Sequence, residues 1–241
     1  MKKVGMIGYG RFGKILHELL SKKYEVIVCD NNEFKNDKVK FDSLENVLDC
    51  FLVFVAVPIR FFEETIDEIS KYKLYNTTII DVCSVKVYPV KIMEKYLTDQ
   101  IGIIASHPHF GPDSYTPFRE LKVTLCRIHD KYNRYAELKE FFESLSIRII
   151  EMTPDEHDRM AASSQGITHF IGRVLKESGV RSTDINTLGF NELLGVIEQT
   201  CNDSWDLFKD LQKYNPYTNE MIDNLVKNIQ DIHKQIKKDA D

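Results

Sequence analysis

The spacing Gly8-x-Gly10-x-x-Gly13 constrains this chain more than any other feature. It follows directly on the apolar run 4–7 and opens the amphipathic stretch 11–21. A strand that turns into a helix through three glycines makes a separate demand on each. Gly8 allows the tight turn, Gly10 lets backbone approach a pyrophosphate, and Gly13 lets the helix lie close on the sheet. The helix N-terminus then offers N–H groups and its positive dipole end to phosphate. Asp30 ends the next apolar run, 22 residues after Gly8, where a carboxylate accepts hydrogen bonds from ribose hydroxyls. Gly8, Gly10, Arg11, Phe12, Gly13 and Asp30 are therefore read as cofactor-binding residues. The Asp30 charge repels a 2′-phosphate, which favours NAD over NADP. Arg11 acts the other way, since it can reach a phosphate from the loop.

The glycine loop opens a longer pattern. Apolar runs at 4–7, 25–29, 51–57, 77–81, 101–105, 121–127 and 147–151 alternate with helical stretches at 11–21, 61–70, 90–97 and 134–145. The runs are rich in Val and Ile and nearly continuous, as strands buried on both faces are. This predicts an α/β fold with a doubly wound, mostly parallel sheet of the Rossmann type over residues 1–152. After Glu151 the strand-like runs stop. Thr153 and Glu156 form a capping-box pattern and Pro154 suits the first helical position. Helices are expected over 155–178, 188–212 and 217–238, making 153–241 a small all-helical domain for substrate binding and dimerisation. Ile222, Leu225, Ile229, Ile232 and Ile236 step by 3 and 4, a narrow apolar seam that wants a partner helix. A homodimer through these helices is the expectation, because about 90 residues make a marginal core alone.

Composition narrows the classes. A net charge of −5 supplies no basic field for nucleic acid or an anionic membrane. No stretch reaches the roughly 20 apolar residues of a membrane span. The N-terminal apolar run is broken at once by Gly8 and Gly10, unlike a signal peptide. Five cysteines, odd in number and without a CxxC pair, read as reduced thiols in a cytoplasmic protein.

Two segments carry chemistry: Asp81-Val82-Cys83-Ser84-Val85-Lys86 and Ser106-His107-Pro108-His109-Phe110-Gly111-Pro112. Both are expected as loops after strands, where an open α/β sheet holds its ligand. A histidine at a strand end is structural as often as catalytic. The H-x-H pair 107/109 has metal-ligand character, but no third ligand follows at a sensible spacing, so no metal is expected.

At these residues the sequence resembles the prephenate/arogenate dehydrogenases of tyrosine biosynthesis. The glycine loop, Asp81-x-x-Ser84-x-Lys86 and His107-Pro108-x-Phe110-Gly111-Pro112 carry the resemblance. It continues through Glu156-His157-Asp158 and Gln165-x-x-Thr168-His169. Gly189-Phe190, Asp203-Ser204-Trp205-Asp206-Leu207-Phe208 and Tyr214-Asn215-Pro216 look like the plant-type arogenate branch. The resemblance implies oxidative decarboxylation of arogenate or prephenate, with hydride passing to a nicotinamide cofactor. It makes His107 the proton acceptor and Ser84 its hydrogen-bonding partner. His169 matches a substrate-contacting histidine. Gln165 and Arg173 stand four residues either side of it and are read as further substrate contacts on the same helix face. His157 reads as a supporting residue. The family's later-helix arginine is missing from Leu194-Gly195-Val196-Ile197-Glu198. Asp203 matches an acidic position that can pair with arogenate's ammonium, so arogenate is the expected substrate. A dehydrogenase of another small hydroxy acid and a non-catalytic dinucleotide sensor are the alternatives.

Overall fold

The computed structural model describes residues 1–32, 38–116 and 120–238. The chain forms two compact units, Met1–His157 and Asp158–Asp241. The first is built on an eight-stranded sheet: β1 (Lys3–Ile7), β2 (Glu25–Cys29), β3 (Lys40–Phe41), β4 (Leu52–Val55), β5 (Thr78–Asp81), β6 (Gly102–Pro108), β7 (Lys122–His129) and β8 (Arg148–Glu151). The strand order is β3-β2-β1-β4-β5-β6-β7-β8. Every neighbouring pair is parallel except β6 with β7. Helices α1 (Arg11–Leu20), α2 (Leu44–Leu48), α3 (Phe62–Ser70), α4 (Val87–Tyr96) and α5 (Arg134–Ser144) connect the strands. This is the doubly wound sheet that the alternation predicts.

Burial explains why the pattern was so readable. Every residue of β4, β5 and β6 is buried, so none of these strands has a wet face to alternate with. Leu16 and Leu20 of α1, Phe54 of β4, and Phe141 and Phe142 of α5 share one core cluster with them. Two elements had no readable signal. β3 is two residues long, and α2 is a five-residue helix capped by Ser43, whose Oγ accepts the Asn46 N–H at 3.3 Å.

One expectation about the sheet needs correcting. Residues 106–108 are not a loop. β6 continues past Ala105 because its antiparallel ladder with β7 does, pairing Ser106 with Leu125, His107 with Thr124 and Pro108 with Val123. His107 therefore stands on a strand, fixed by the ladder to β7 two residues past the end of the ladder to β5.

The end of β5 is pinned to β6 by a buried ion pair. Lys86 and Asp81 are both fully buried and in contact. Lys86 Nζ also donates to the Ser106 carbonyl. Asp81 Oδ1 accepts the Ser106 N–H at 3.2 Å, its Oδ2 accepts the Cys83 N–H at 3.0 Å, and its carbonyl accepts Ser106 Oγ at 2.6 Å. Burial pushes the Asp81 carboxyl upward, and the Lys86 ammonium opposes that.

The second unit contains the C-terminal residues of α6 (Pro154–Ala161), a π turn at Ala162–Gly166, α7 (Ile167–Glu177), α8 (Leu188–Cys201), α9 (Trp205–Tyr214) and α10 (Thr218–Lys238). The capping box at the start of α6 is formed: Thr153 N–H donates to Glu156 Oε2 at 2.8 Å and Glu156 N–H to Thr153 Oγ1 at 3.3 Å. The single helix expected over 188–212 is two. Ser204 stops it by accepting the Leu207 N–H at 3.1 Å, which makes it the N-cap of α9. Ala162, Cys201 and Leu211 are the buried apolar residues of this unit. Val226, Ile229, Ile232 and Ile236 of α10 are exposed, the last at 63%. No described helix is long and apolar enough to cross a membrane.

Lys86→Ala is expected to cost about 3–5 kcal/mol in urea unfolding, because it strands a buried carboxylate. The Asp81→Asn/Lys86→Met pair should recover most of that loss, and a double variant no more stable than Lys86→Ala would contradict the ion-pair account.

Candidate active site

The glycine loop, the segment after β5 and the end of β6 all leave the carboxyl edge of the parallel strands. β1 and β4 are neighbours there, and the order reverses between them. That reversal is where an open α/β sheet leaves a crevice. At the crevice Gly8 has φ +97°, and a Cβ on it would meet the Ala56 carbonyl oxygen at 2.5 Å. A Cβ on Gly13 would meet the Gly8 carbonyl oxygen at 2.6 Å. These two glycines are required by the fold itself. Gly10 differs, since a Cβ there meets nothing within 4 Å. No side chain caps α1 at Gly10, which is the arrangement an anion needs at a helix N-terminus.

Asp30 follows β2 and is tied to this loop. Its Oδ2 accepts the Tyr9 N–H at 2.6 Å, and its Oδ1 accepts the Asn32 backbone N–H at 2.7 Å. Arg11 Nη2 is paired with Asp113 Oδ2 at 2.8 Å. The Phe12 ring packs against Phe110, centroid to centroid 6.3 Å. Arg11 and Phe12 thus link the glycine helix to the segment after β6. The residues present fit a dinucleotide: a tight glycine turn, open space at Gly10, and a carboxylate at the end of β2.

His107 is buried and central. Its Nδ1 lies 2.8 Å from Nε2 of His157, which is also buried. His109, one residue past the end of β6 and exposed, holds its ring 4.3 Å from that of His107 and 6.0 Å from that of His157. His109 Nε2 sits 2.7 Å from Thr124 Oγ1. Burial holds the His107 imidazole well below its ordinary pKa of 6.5, with His109, His157 and Lys86 adding to the effect. His109 is lowered to about 4, first by burial of its ring and then by His157 and the two lysines 86 and 122. The structure brings no described hydrogen bond between Ser84 and His107; Ser84 is half-buried in the turn after β5. His157 was legible only as a supporting residue. The fold makes it the direct partner of His107, and the Glu156-His157-Asp158 motif was its one signal.

The remaining candidates lie in the second unit. Gln165 sits in the π turn, so its spacing to His169 does not follow a regular helix face. His169 and Arg173 do share a face of α7. The His169 imidazole is lowered by burial, with Asp203 opposing and Arg173 reinforcing. Arg173 is buried. Its Nη2 donates to the Asp203 carbonyl at 2.6 Å, and its guanidinium lies 4.9 Å from the Trp205 ring centroid. Its Nε has no partner among the described residues. This unit gathers His169, Arg173 and Asp203 on α7 and the turn before α9.

The fold and the glycine loop define a dinucleotide-binding α/β protein. The family model for the prephenate dehydrogenase nucleotide-binding domain matches residues 16–151. A second, described as TYRAAT1-like, C-terminal domain, matches residues 174–241. Arogenate dehydrogenase 2, chloroplastic, of Arabidopsis thaliana is 30% identical over 97% of this chain and 70% of its own length. Arogenate dehydrogenase 1, chloroplastic, of the same plant is 29% identical over 92% of this chain, which spans 37% of that protein. Among solved structures, prephenate dehydrogenase from Aquifex aeolicus, in complex with hydroxyphenyl propionate and NAD+, superposes with a TM-score of 0.78. It has 19% identity and covers 100% of this chain and 92% of that one. Synechocystis arogenate dehydrogenase gives 0.63 at 18% identity, over 98% of this chain and 96% of that one. At such identities the structures establish the fold alone. The chain belongs to the prephenate/arogenate dehydrogenase family, on its plant-type branch.

Gly10→Ala is expected to leave thermal unfolding within a few degrees of the parent and to weaken NAD(P)H binding about tenfold or more. Gly8→Ala should fail to fold. Fluorescence titration with the reduced cofactor checks the first, and unchanged affinity would remove Gly10 from the phosphate site.

Proposed function

We propose that this chain oxidatively decarboxylates arogenate, with prephenate as the poorer substrate. The observation that carries this reading is His107: a buried imidazole with a lowered pKa at the carboxyl edge of the sheet that also carries the glycine loop, in a chain of this family. A nicotinamide cofactor supplies the hydride acceptor when bound. Gly8, Gly10, Gly13 and Asp30 would hold it, and Asp30 supports NAD over NADP. The pairing of Arg11 with Asp113 adds support, because a charge already engaged is a poor receptor for a 2′-phosphate.

The chain's own contribution is a proton acceptor at the substrate's 4-hydroxyl. The 2.8 Å contact between His107 Nδ1 and His157 Nε2 needs one proton between them. With the proton on His107 Nδ1 and the lone pair on His157 Nε2, His107 Nε2 is left bare to accept the hydroxyl proton. His157 is thus a positioning residue that sets the tautomer. Ser84 would orient the hydroxyl. As the proton passes to His107 and the hydrogen on the same carbon leaves as hydride to the acceptor such a cofactor would supply, the hydroxyl becomes a carbonyl. The ring carboxylate then departs as carbon dioxide, its bond pair makes the ring aromatic with a phenolate oxygen, and that oxygen takes the proton back. His169, Gln165 and Asp203 remain the proposed contacts to the rest of the substrate, with Asp203 favouring the ammonium of arogenate. Arg173 is the weakest of the proposed contacts, because its guanidinium is already spent on Asp203 and Trp205.

The lowered pKa of His107 has a defined sign. The neutral form is the active one, so a depressed pKa moves the acid limb of kcat/KM below pH 6.5. Five free thiols support a reducing compartment such as the cytoplasm. The exposed seam Ile229, Ile232 and Ile236 supports a homodimer through the C-terminal helices. Light scattering at micromolar concentration should return twice the chain mass, and Ile232→Glu should return the monomer.

The deciding experiment is steady-state kinetics with arogenate or prephenate and NAD or NADP. Arogenate with NAD is expected to give the highest kcat/KM, and Asp203→Asn to shift the ratio toward prephenate. His107→Asn should lower kcat about 10²–10⁴-fold with cofactor affinity preserved. Turnover equal to the parent's in that variant would remove His107 from the mechanism.

A further inference from the structure

The sequence offered the pair His107 and His109 without a third ligand, and on that ground no metal was expected. The fold supplies the third. His157, fifty positions beyond His107, closes a triangle with the other two. One ligand nitrogen from each of the three lies within 4.8 Å of the others. The ring centroids are 4.3, 5.0 and 6.0 Å apart. Three imidazoles on a tetrahedral ion, each with a metal–nitrogen bond of about 2.0–2.1 Å, place their centroids about 5 Å from one another. We propose that His107, His109 and His157 form a three-histidine site for a divalent transition ion of the zinc class, and that its occupancy switches the enzyme off.

The roles of the ring nitrogens favour this. His109 Nε2 is held by Thr124 Oγ1, which leaves Nδ1 for an ion and provides the outer hydrogen bond that ligating histidines use. His107 Nδ1 and His157 Nε2 already face each other. They need to part from 2.8 Å to about 3.3 Å to become neighbouring ligands of one ion. His107 stands on the β6 ladder, His109 just past it with its N–H donating to the Lys122 carbonyl at 2.9 Å, and His157 on a capped helix, so each ring is carried by hydrogen-bonded backbone. Only one proton, the one shared by His107 and His157, must leave or relocate. His109 is exposed and gives the ion its way in. Three neutral nitrogen ligands leave the fourth position to water. The chemistry suits Zn2+ and Co2+ and disfavours Mg2+ and Ca2+, which take oxygen.

Inhibition follows from the tautomer and rests on the proposed role of His107. An ion on His107 Nδ1 forces the ring's proton to Nε2, the atom that must be bare to accept the hydroxyl proton. The base is therefore disabled even where the substrate can still bind.

The test uses the full chain after chelator treatment, titrated with Co2+ and then Zn2+. A visible absorption band of tetrahedral cobalt should grow to one equivalent and be displaced by Zn2+. Zn2+ should lower kcat, and a chelator should restore it. His109→Gln, which removes a ligand and leaves the proton acceptor in place, should keep kcat near the parent's without metal and weaken Co2+ binding about tenfold or more. No tetrahedral band would overturn the site. So would a band retained in His109→Gln, since the five cysteines or another histidine would then be holding the ion. A band lost in His109→Gln, together with turnover indifferent to Zn2+, supports the site but overturns the switch, and with it the catalytic role of His107 on which the switch rests.

Discussion

The contact between Lys86 and Asp81 is the constraint on which the site depends. Two opposite charges taken wholly out of water repay their desolvation only if the geometry is good and every remaining polar atom is used. Here Asp81 also takes two backbone N–H groups, and Lys86 takes the Ser106 carbonyl. The hydrogen bonds do more than satisfy the pair. They lock the last residue of β5 to Ser106, one position before His107, while the ladder to β7 locks the other side. The backbone on which the proposed base stands is thereby placed by two strands and an ion pair.

The same burial sets the chemistry. An imidazole out of water, flanked by two others and near an ammonium, resists protonation. It gives up basicity and keeps its lone pair to lower pH than an exposed imidazole does. The result is a cluster of three imidazoles in which His107 Nδ1 and His157 Nε2 share a hydrogen bond. Under the two proposals made above, such a cluster serves as a base when its tautomer is set and as a ligand set when an ion arrives. Base and ligand are two uses of the same lone pairs, and the balance between them depends on where one proton sits.

Much of this was legible in the sequence, for identifiable reasons. The strands read clearly because central strands buried on both faces leave unbroken apolar runs. The glycine loop read clearly because Gly8 and Gly13 sit where a Cβ collides with backbone. The break at Ser204 was missed because the apolar pattern continues across it, and only the cap ends the helix. β6 was cut short because Ser106 and His107 are polar, although the ladder carries them inside. The His107–His157 contact was out of reach. A strand residue and a helix residue 50 positions apart share no periodicity, so only the fold could bring them together.

Gly10 and Gly13 show how structural and functional demands can be separated within one motif. Gly13 is paid for by packing: its hydrogen is all that fits against the Gly8 carbonyl. Gly10 has no neighbour that excludes a methyl group, so the fold of this unit does not require it. This position lies open at an uncapped helix N-terminus, in a loop whose Tyr9 N–H is held by the Asp30 carboxylate. The reason proposed above is a bound phosphate that needs the backbone bare, so the glycines of one motif are not given one common explanation.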